Sequence, residues 1–484
     1  MDLSLESYRT IVKNVRSRAD LAVLCRVSKA FQHVAERALY NTLFLRISNA
    51  QNHNGQAVAL CETLETQSRV AVLVEALTVM VADNGESSGG EDVMEEELED
   101  IEEEEEGESF ERDEEEELAV ALEMSLTQTT QTEEQGEIST SAASSSRRTH
   151  EQSIGSRTNR RIHIDDVWKH VSRALQQTLR LRHLNIHISN NVEASMAWIL
   201  DGCTFRLRSL HCDLSWDHHL VTFLNTQDDL EDLYIIDYED STTPRVSNSQ
   251  SRLDIVSTTT HMDVAESSRD AHQGPPGPSS QPLMTLSISP NALRSLSVLE
   301  CTFTEAAIAL VPGRPIVRLK TAFSSPTLAE KRIEMNALFS RIRRTTRRIK
   351  SLDIGDSVYG EEFAMDMLQT IVNTSRTRDD LRYLGTLVLP VGGNERLMFY
   401  ALLRRMHRLT TVELDVTSWE PPPIDAGPSA FRALANELRI YCRGIKKVIF
   451  VYEFERTIVK VIDGVMRVEI GRETTPTDSL WREV

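Results

Sequence analysis

Paired cysteines, phosphate-cradling glycine loops and long apolar runs are missing from this 484-residue chain, and each absence excludes a class of protein. Six cysteines (Cys25, Cys61, Cys203, Cys212, Cys301 and Cys442) stand far apart with no C-x-x-C pair. That spacing argues against a disulfide framework and against a zinc-ribbon or RING arrangement. A reducing compartment, cytoplasmic or nuclear, is the expectation. Asp2 and Glu6 stand where a secretory leader is basic, and the longest apolar stretch, Val70 to Ala82, contains Glu75 and is too short to span a bilayer. No membrane association is expected. No G-x-G-x-x-G, P-loop or H-E-x-x-H occurs, so the usual signatures of nucleotide binding and zinc catalysis are lacking. The chain reads as a binding protein, not an enzyme, with no cofactor.

Basic clustering is also sparse. Arg343, Arg344, Arg347, Arg348 and Lys350 form one local run, which reads as a solvated helix face and not as a phosphate-binding stripe, so no nucleic-acid partner is expected. Cys203, His211, Cys212, His218 and His219 are the one grouping of soft ligands. Cys212 falls at a core position, where cysteine behaves as a small hydrophobe, and no metal site is expected. Asp217-His218-His219 matches a phosphoesterase signature as a bare tripeptide without that family's further acidic motifs, and reads instead as a helix start.

Acidic charge, by contrast, is abundant and local. The formal net charge is −21, yet residues 85 to 137 hold 24 acidic and one basic side chain, which leaves the remainder near +2. The charge describes one segment and not the folded part.

At the N-terminus, Leu5, Tyr8, Ile11, Val12 and Val15 recur at helical spacing. Ser17 with Asp20 makes a capping-box-like start for a second helix carrying Leu21, Leu24 and Val27, and Ser28 caps a third carrying Phe31, Val34, Ala35, Ala38 and Leu39. So small a bundle buries little apolar area and must dock on something. The run Leu3-Ser4-Leu5-Glu6, Ile11, Asp20-Leu21, Leu24, Val27-Ser28-Lys29 and Phe31 resembles an F-box, with Ser4 where the family has Pro and Phe31 where it has Trp. The continuation from Ala35 through Tyr40 to Leu43 is similar to the F-box-like leucine-rich-repeat proteins of mushroom-forming fungi. The resemblance implies that the head, residues 1–45, binds a Skp-type adaptor through Leu3, Leu5, Tyr8, Ile11, Leu21, Leu24, Val27 and Phe31, linking the chain to a cullin-RING ubiquitin ligase.

Beyond the head, an L-x-x-L-x-L pattern recurs, usually after a helical stretch. It is read at Val74/Leu77/Val79, Leu181/Leu184/Ile186, Leu207/Leu210/Cys212 and Leu230/Leu233/Ile235, then at Leu293/Leu296/Val298, Ile349/Leu352/Ile354, Leu384/Leu387/Leu389, Leu409/Val412/Leu414 and Ile445/Val448/Phe450. Cys301 then meets the Asn/Cys position three residues past its triplet. Short strands alternating with helices predict an α/β chain whose units stack as a degenerate leucine-rich-repeat solenoid, because no unit buries its apolar face alone. Repeats are expected over 46–82, 161–238 and 283–470, with a tail at 471–484. Residues 83–160 and 239–282 are poor in large apolar side chains and are expected to be disordered insertions.

Within the first insertion, Leu118, Ala121, Leu122, Ser125 and Leu126 make one helical stripe behind the acidic run 113–117. These residues are similar to a ubiquitin-interacting motif over 113–128. The resemblance implies Ala121 against ubiquitin's apolar patch, the three leucines around it and Ser125 as the polar contact. The expected function is substrate recognition for an SCF-type ubiquitin ligase, with a Skp-type adaptor, the cullin complex, ubiquitin and a protein target as partners. The alternative is an interaction scaffold outside any ligase that recognises ubiquitylated partners.

Overall fold

The computed structural model describes residues 4–48, 54–82, 163–188, 196–236, 286–355, 360–453, 455–462, 464–469 and 477–484. The acidic and Ser/Pro-rich insertions, Leu3 and the helix expected at 113–128 with Leu118, Ala121, Leu122, Ser125 and Leu126 lie outside them.

Three helices open the chain: α1 Leu5–Lys13, α2 Arg18–Val27 and α3 Lys29–Tyr40. Each begins where a hydroxyl can take up an otherwise orphan amide. Ser4 accepts from the Ser7 N–H, Ser17 from that of Asp20, and Ser28 from that of Phe31. Tyr8 meets Phe31 edge-on at 4.7 Å, which pins α1 to α3.

An open, mixed α/β body follows. β1 Thr42–Ser48, β2 Ala76–Ala82, β3 His183–His187, β4 Ser209–Cys212, β5 Asp232–Ile235, β6 Val298–Cys301, β7 Arg318–Ala322, β8 Ser351–Gly355, β9 Tyr383–Val388, β10 Thr411–Asp415 and β11 Lys447–Tyr452 pair in parallel. β12 Glu455–Ile462 and β13 Val465–Glu469 then add as an antiparallel hairpin, completing an open 13-stranded sheet whose strand order follows chain order. Parallel neighbours need a crossover, and here most crossovers are helical. They are α4 Gly55–Thr66 with α5 Ser68–Ala71, α6 Ile164–Gln177, α7 His218–Leu224, α8 Thr304–Leu310, α9 Leu328–Ile342, α10 Glu361–Asn373 with α11 Ser375–Arg378, α12 Gly393–Leu403 and α13 Pro428–Tyr441, while β3 reaches β4 through a 3-10 turn at Ala197–Leu200.

The register explains the leucine pattern. Leu43, Leu77, Leu184, Leu210, Leu233, Leu299, Leu319, Leu352, Leu384, Val412 and Val448 are successive cross-strand partners and form one continuous row. All are buried, as are Ile186, Cys212, Ile235, Cys301, Ile354, Leu414 and Phe450 two residues further on. Each such leucine contributes about 1.5–3 kcal/mol by leaving water. One apolar core runs from Val12 in α1 to Met466 in β13, so head and body share it.

Three expectations are corrected. At β6 the inward set is Leu296, Leu299 and Cys301 and not Leu293/Leu296/Val298, because Leu293 is held in a left-handed turn (φ 59°) with its amide on the Gln227 carbonyl at 3.0 Å. Cys301 is therefore an inward residue itself and not one beyond the triplet. At β9 the set begins at Leu381 and Leu384. A bulge then places Leu387, three residues on, opposite Leu414, which is two residues on from Val412. β1 and β7 were not expected, and the head boundary at residue 45 falls inside β1. Within the 471–484 tail, Leu480 and Trp481 are buried.

Buried polar side chains sit two to four residues before the inward set of several strands, at Thr178, Gln227, Arg314, Thr345 and Thr377. Each bonds backbone carbonyls in the turn that leads from helix to strand. A turn buried between layers would otherwise leave those oxygens unpaired.

Candidate functional site

Two surfaces stand out, one on the head and one on the sheet. On the head, Leu5 (47% exposed) and Ile11 (40%) of α1 and Val27 (61%) of α2 keep much of their apolar area in water. Val23, which the sequence reading passed over, is 48% exposed and adjoins Val27 one helical turn away. Tyr8, Leu24 and Phe31 are half-buried. Leu21 is a correction: it lies 6% exposed in the head's own core and is not available to a partner. The head is anchored to the body. The Arg69 guanidinium of α5 donates to Glu36 of α3 at 3.1 Å, Gln32 donates to the same carboxylate at 2.9 Å, and Arg37 pairs with Glu75 at 3.3 Å. Exposed apolar side chains on a fixed helical platform make a surface suited to a protein partner.

On the sheet, alternate residues of each strand point away from the helices. One rung carries Asn185, His211, Tyr234, Glu300, Lys320 and Asp353 as successive partners, and the rung two residues earlier carries Asp232, Val298, Arg318, Ser351 and Tyr383. Glu300 pairs with Lys320 at 3.1 Å and His211 with Asp232 at 3.3 Å. At the far end the Glu413 carboxylate, 3% exposed, accepts from the Tyr383 hydroxyl at 2.8 Å, the Thr386 hydroxyl at 3.1 Å and Arg456 Nε at 3.1 Å. The face is a band of interlocked charges.

Asp353 sits in this band. Burial lifts its carboxyl to about 7, Glu413 adds to the rise, and Lys320, Arg456 and the Thr386 amide oppose it. An acid whose native pKa exceeds its unfolded one binds the proton more tightly when folded. Its favourable contribution is therefore complete in acid and is lost as pH rises from the ordinary carboxylate range through about 7. Asp353→Asn keeps the shape and removes the titration. The variant is expected to melt above the unaltered chain at pH 8 and to lose that advantage at pH 5; equal differences at both pH values would show that Asp353 does not titrate in this window.

The remaining sequence candidates resolve as structure. Asp217 caps α7, accepting from the Leu220 N–H at 3.0 Å, and His219 turns to Asp201. Burial pushes the thiols of Cys61, Cys203, Cys212 and Cys301 up to about 12, far from a reactive or ligating thiolate. Among the described residues no group of three or more His, Cys, Asp or Glu is placed to hold a metal ion, and no helix is long and apolar enough to cross a membrane. The arginines of the 343–348 run are exposed, but in the turn after α9 and not on a helix face as expected, with Arg348 3.8 Å from Asp379. The strand residues Asp232 and Glu300 and the tail residues Trp481 and Arg482 were missed by the sequence reading. The polar residues flanking the second leucine of the L-x-x-L-x-L, Asp232 before Leu233 and Glu300 after Leu299, were the available signal for the strand members. Comparison of the chain with protein-family models and with curated proteins found no match.

Proposed function

We propose that the chain is the substrate-recognition subunit of an SCF-type ubiquitin ligase, in which the head engages a Skp-type adaptor, the sheet holds a target and catalysis belongs to other subunits. The body is read as a degenerate leucine-rich-repeat solenoid, supported by the parallel strands in chain order and the single leucine row across them. The 113–128 segment, outside the described residues, adds a weak contact with ubiquitin in this reading.

The observation that carries the adaptor reading is the exposed apolar set Leu5, Ile11, Val23 and Val27 on a three-helix head that is bonded to the body. A soluble platform that spends its apolar side chains on water gains by covering them, and a few such residues typically dominate an interface. The full chain should capture a purified Skp-type adaptor and, through it, cullin. Ile11→Asp with Val27→Asp should weaken capture by about 30-fold or more, the effect of losing roughly 2 kcal/mol or more of central contact. The melting temperature should hardly move, since both residues are already exposed. No capture by the unaltered chain, or unchanged capture by the double variant, would remove the head from ligase assembly.

A further inference from the structure

The charged sheet face is not bare. Residues 477–484, which contain a 3-10 turn at Thr477–Arg482, lie across it. Trp481, 1% exposed, and Leu480 pack with Tyr383 of β9, Ile449 of β11 and Ile458 of β12, while Val298 and Val484 flank the cluster. Arg482 lies over the Trp481 ring at 4.7 Å and reaches two strands: it donates to the Asp232 carboxylate at 2.7 and 2.9 Å and to Glu300 at 2.8 Å. Arg318 Nε donates to the Val484 carbonyl at 3.0 Å. The sheet thus contributes an apolar bed and, next to it, two carboxylates on adjacent strands.

These are the parts of a peptide-reading site: a bed for one bulky side chain, a fork of acceptors for one guanidinium and a donor for the backbone beyond it. The body's main core lies on the other face of the sheet, and the cluster under Trp481 is separate from it. We propose that this face recognises protein segments in which a bulky apolar or aromatic residue is followed directly by arginine, and that residues 477–484 occupy the site in cis as a competitor. The inference rests on reading the sheet as the target-holding surface, and it is independent of what the head binds. A tethered competitor acts at an effective concentration on the order of millimolar, so a target must outbid it or displace it.

The probe is a fluorescent synthetic peptide of residues 477–484, titrated into the full chain by anisotropy. The unaltered chain should bind it weakly, because the site is filled. Arg482→Glu in the full chain sets a carboxylate against Asp232 and Glu300 and opens the site, so the same peptide should bind about tenfold tighter or better. Adding Asp232→Asn and Glu300→Gln to that variant should cancel the gain, and a peptide carrying Arg482→Glu should not bind the opened chain. Equal affinity of the unaltered and Arg482→Glu chains, or binding that survives loss of both carboxylates, overturns the proposal. If Arg482→Glu does not fold, Arg482→Gln removes the charge without repulsion and must give the same order with a smaller separation. Skp-type adaptor capture measured on the same samples reports on the head alone, so failure of either reading is seen separately.

Discussion

Alanine at position 385 is expected to destabilise the chain by about 3 kcal/mol or more, near the upper end of what overpacking a core does. A Cβ built on Gly385 falls 2.8 Å from the Asp353 Cα and collides with the Asp353 carboxyl as well. A side-chain tip can move aside, but a neighbouring backbone atom cannot without prising β8 from β9. That seam is already thin, because the strands pair only at Ser351 with Tyr383 and Leu352 with Leu384 before the β9 bulge parts them. Urea unfolding of Gly385→Ala measures the loss directly. A shift within about 0.5 kcal/mol, the range of an ordinary surface substitution, would mean that the strands separate freely at the bulge.

Arg314 should be nearly as sensitive, by the opposite mechanism. It is 3% exposed, and among the described residues no carboxylate partners it. Instead its guanidinium donates to the carbonyls of Ser289 (2.9 Å), Ala292 (3.2 Å), Ala309 (3.4 Å), Leu310 (2.9 Å) and Pro312 (3.1 Å). Burial lowers its pKa to about 10, which still leaves it charged at neutral pH. The side chain ties the end of α8 to the turn in which Leu293 takes its left-handed conformation. Arg314→Ala leaves several buried oxygens without donors, at a cost of about 3–5 kcal/mol. Arg314→Lys should recover little, since an ammonium lacks the planar fork that reaches all five oxygens. Full recovery by lysine would show that charge alone, and not geometry, holds the turn.

Much of the fold was legible because its signals are local. Helix caps need one hydroxyl and the next turn, so Ser17 and Ser28 announced α2 and α3, and the buried faces of those helices follow a spacing set by the helix itself. Asp217 likewise showed a helix start. Where the pattern was ambiguous, distant contacts decided. Leu293, Leu296 and Leu299 offer two equally spaced readings, and only the pairing of β6 with β5 together with the Gln227 bond selects the second. The β9 bulge, invisible in the spacing of Leu381, Leu384, Leu387 and Leu389, is set by its partners Val412 and Leu414. β7 was passed over because its third inward position is Thr321, whose hydroxyl is matched by the Cys301 thiol on the neighbouring strand.

The candidate sites divide in the same way. Amphipathic spacing by itself determined that residues 5–40 fold as helices with apolar faces. Which apolar residues stay outside was decided by packing, which buries Leu21 and leaves Val23 and Val27 in water. Spacing also determined a row of inward leucines and outward polar residues, since alternation along a strand is a property of the backbone. It held nothing about Arg482 meeting Asp232 and Glu300, which lie 250 and 182 residues away in the chain. Such a contact depends on the sum of every turn and crossover between them, and no local rule carries that sum; the tertiary structure does.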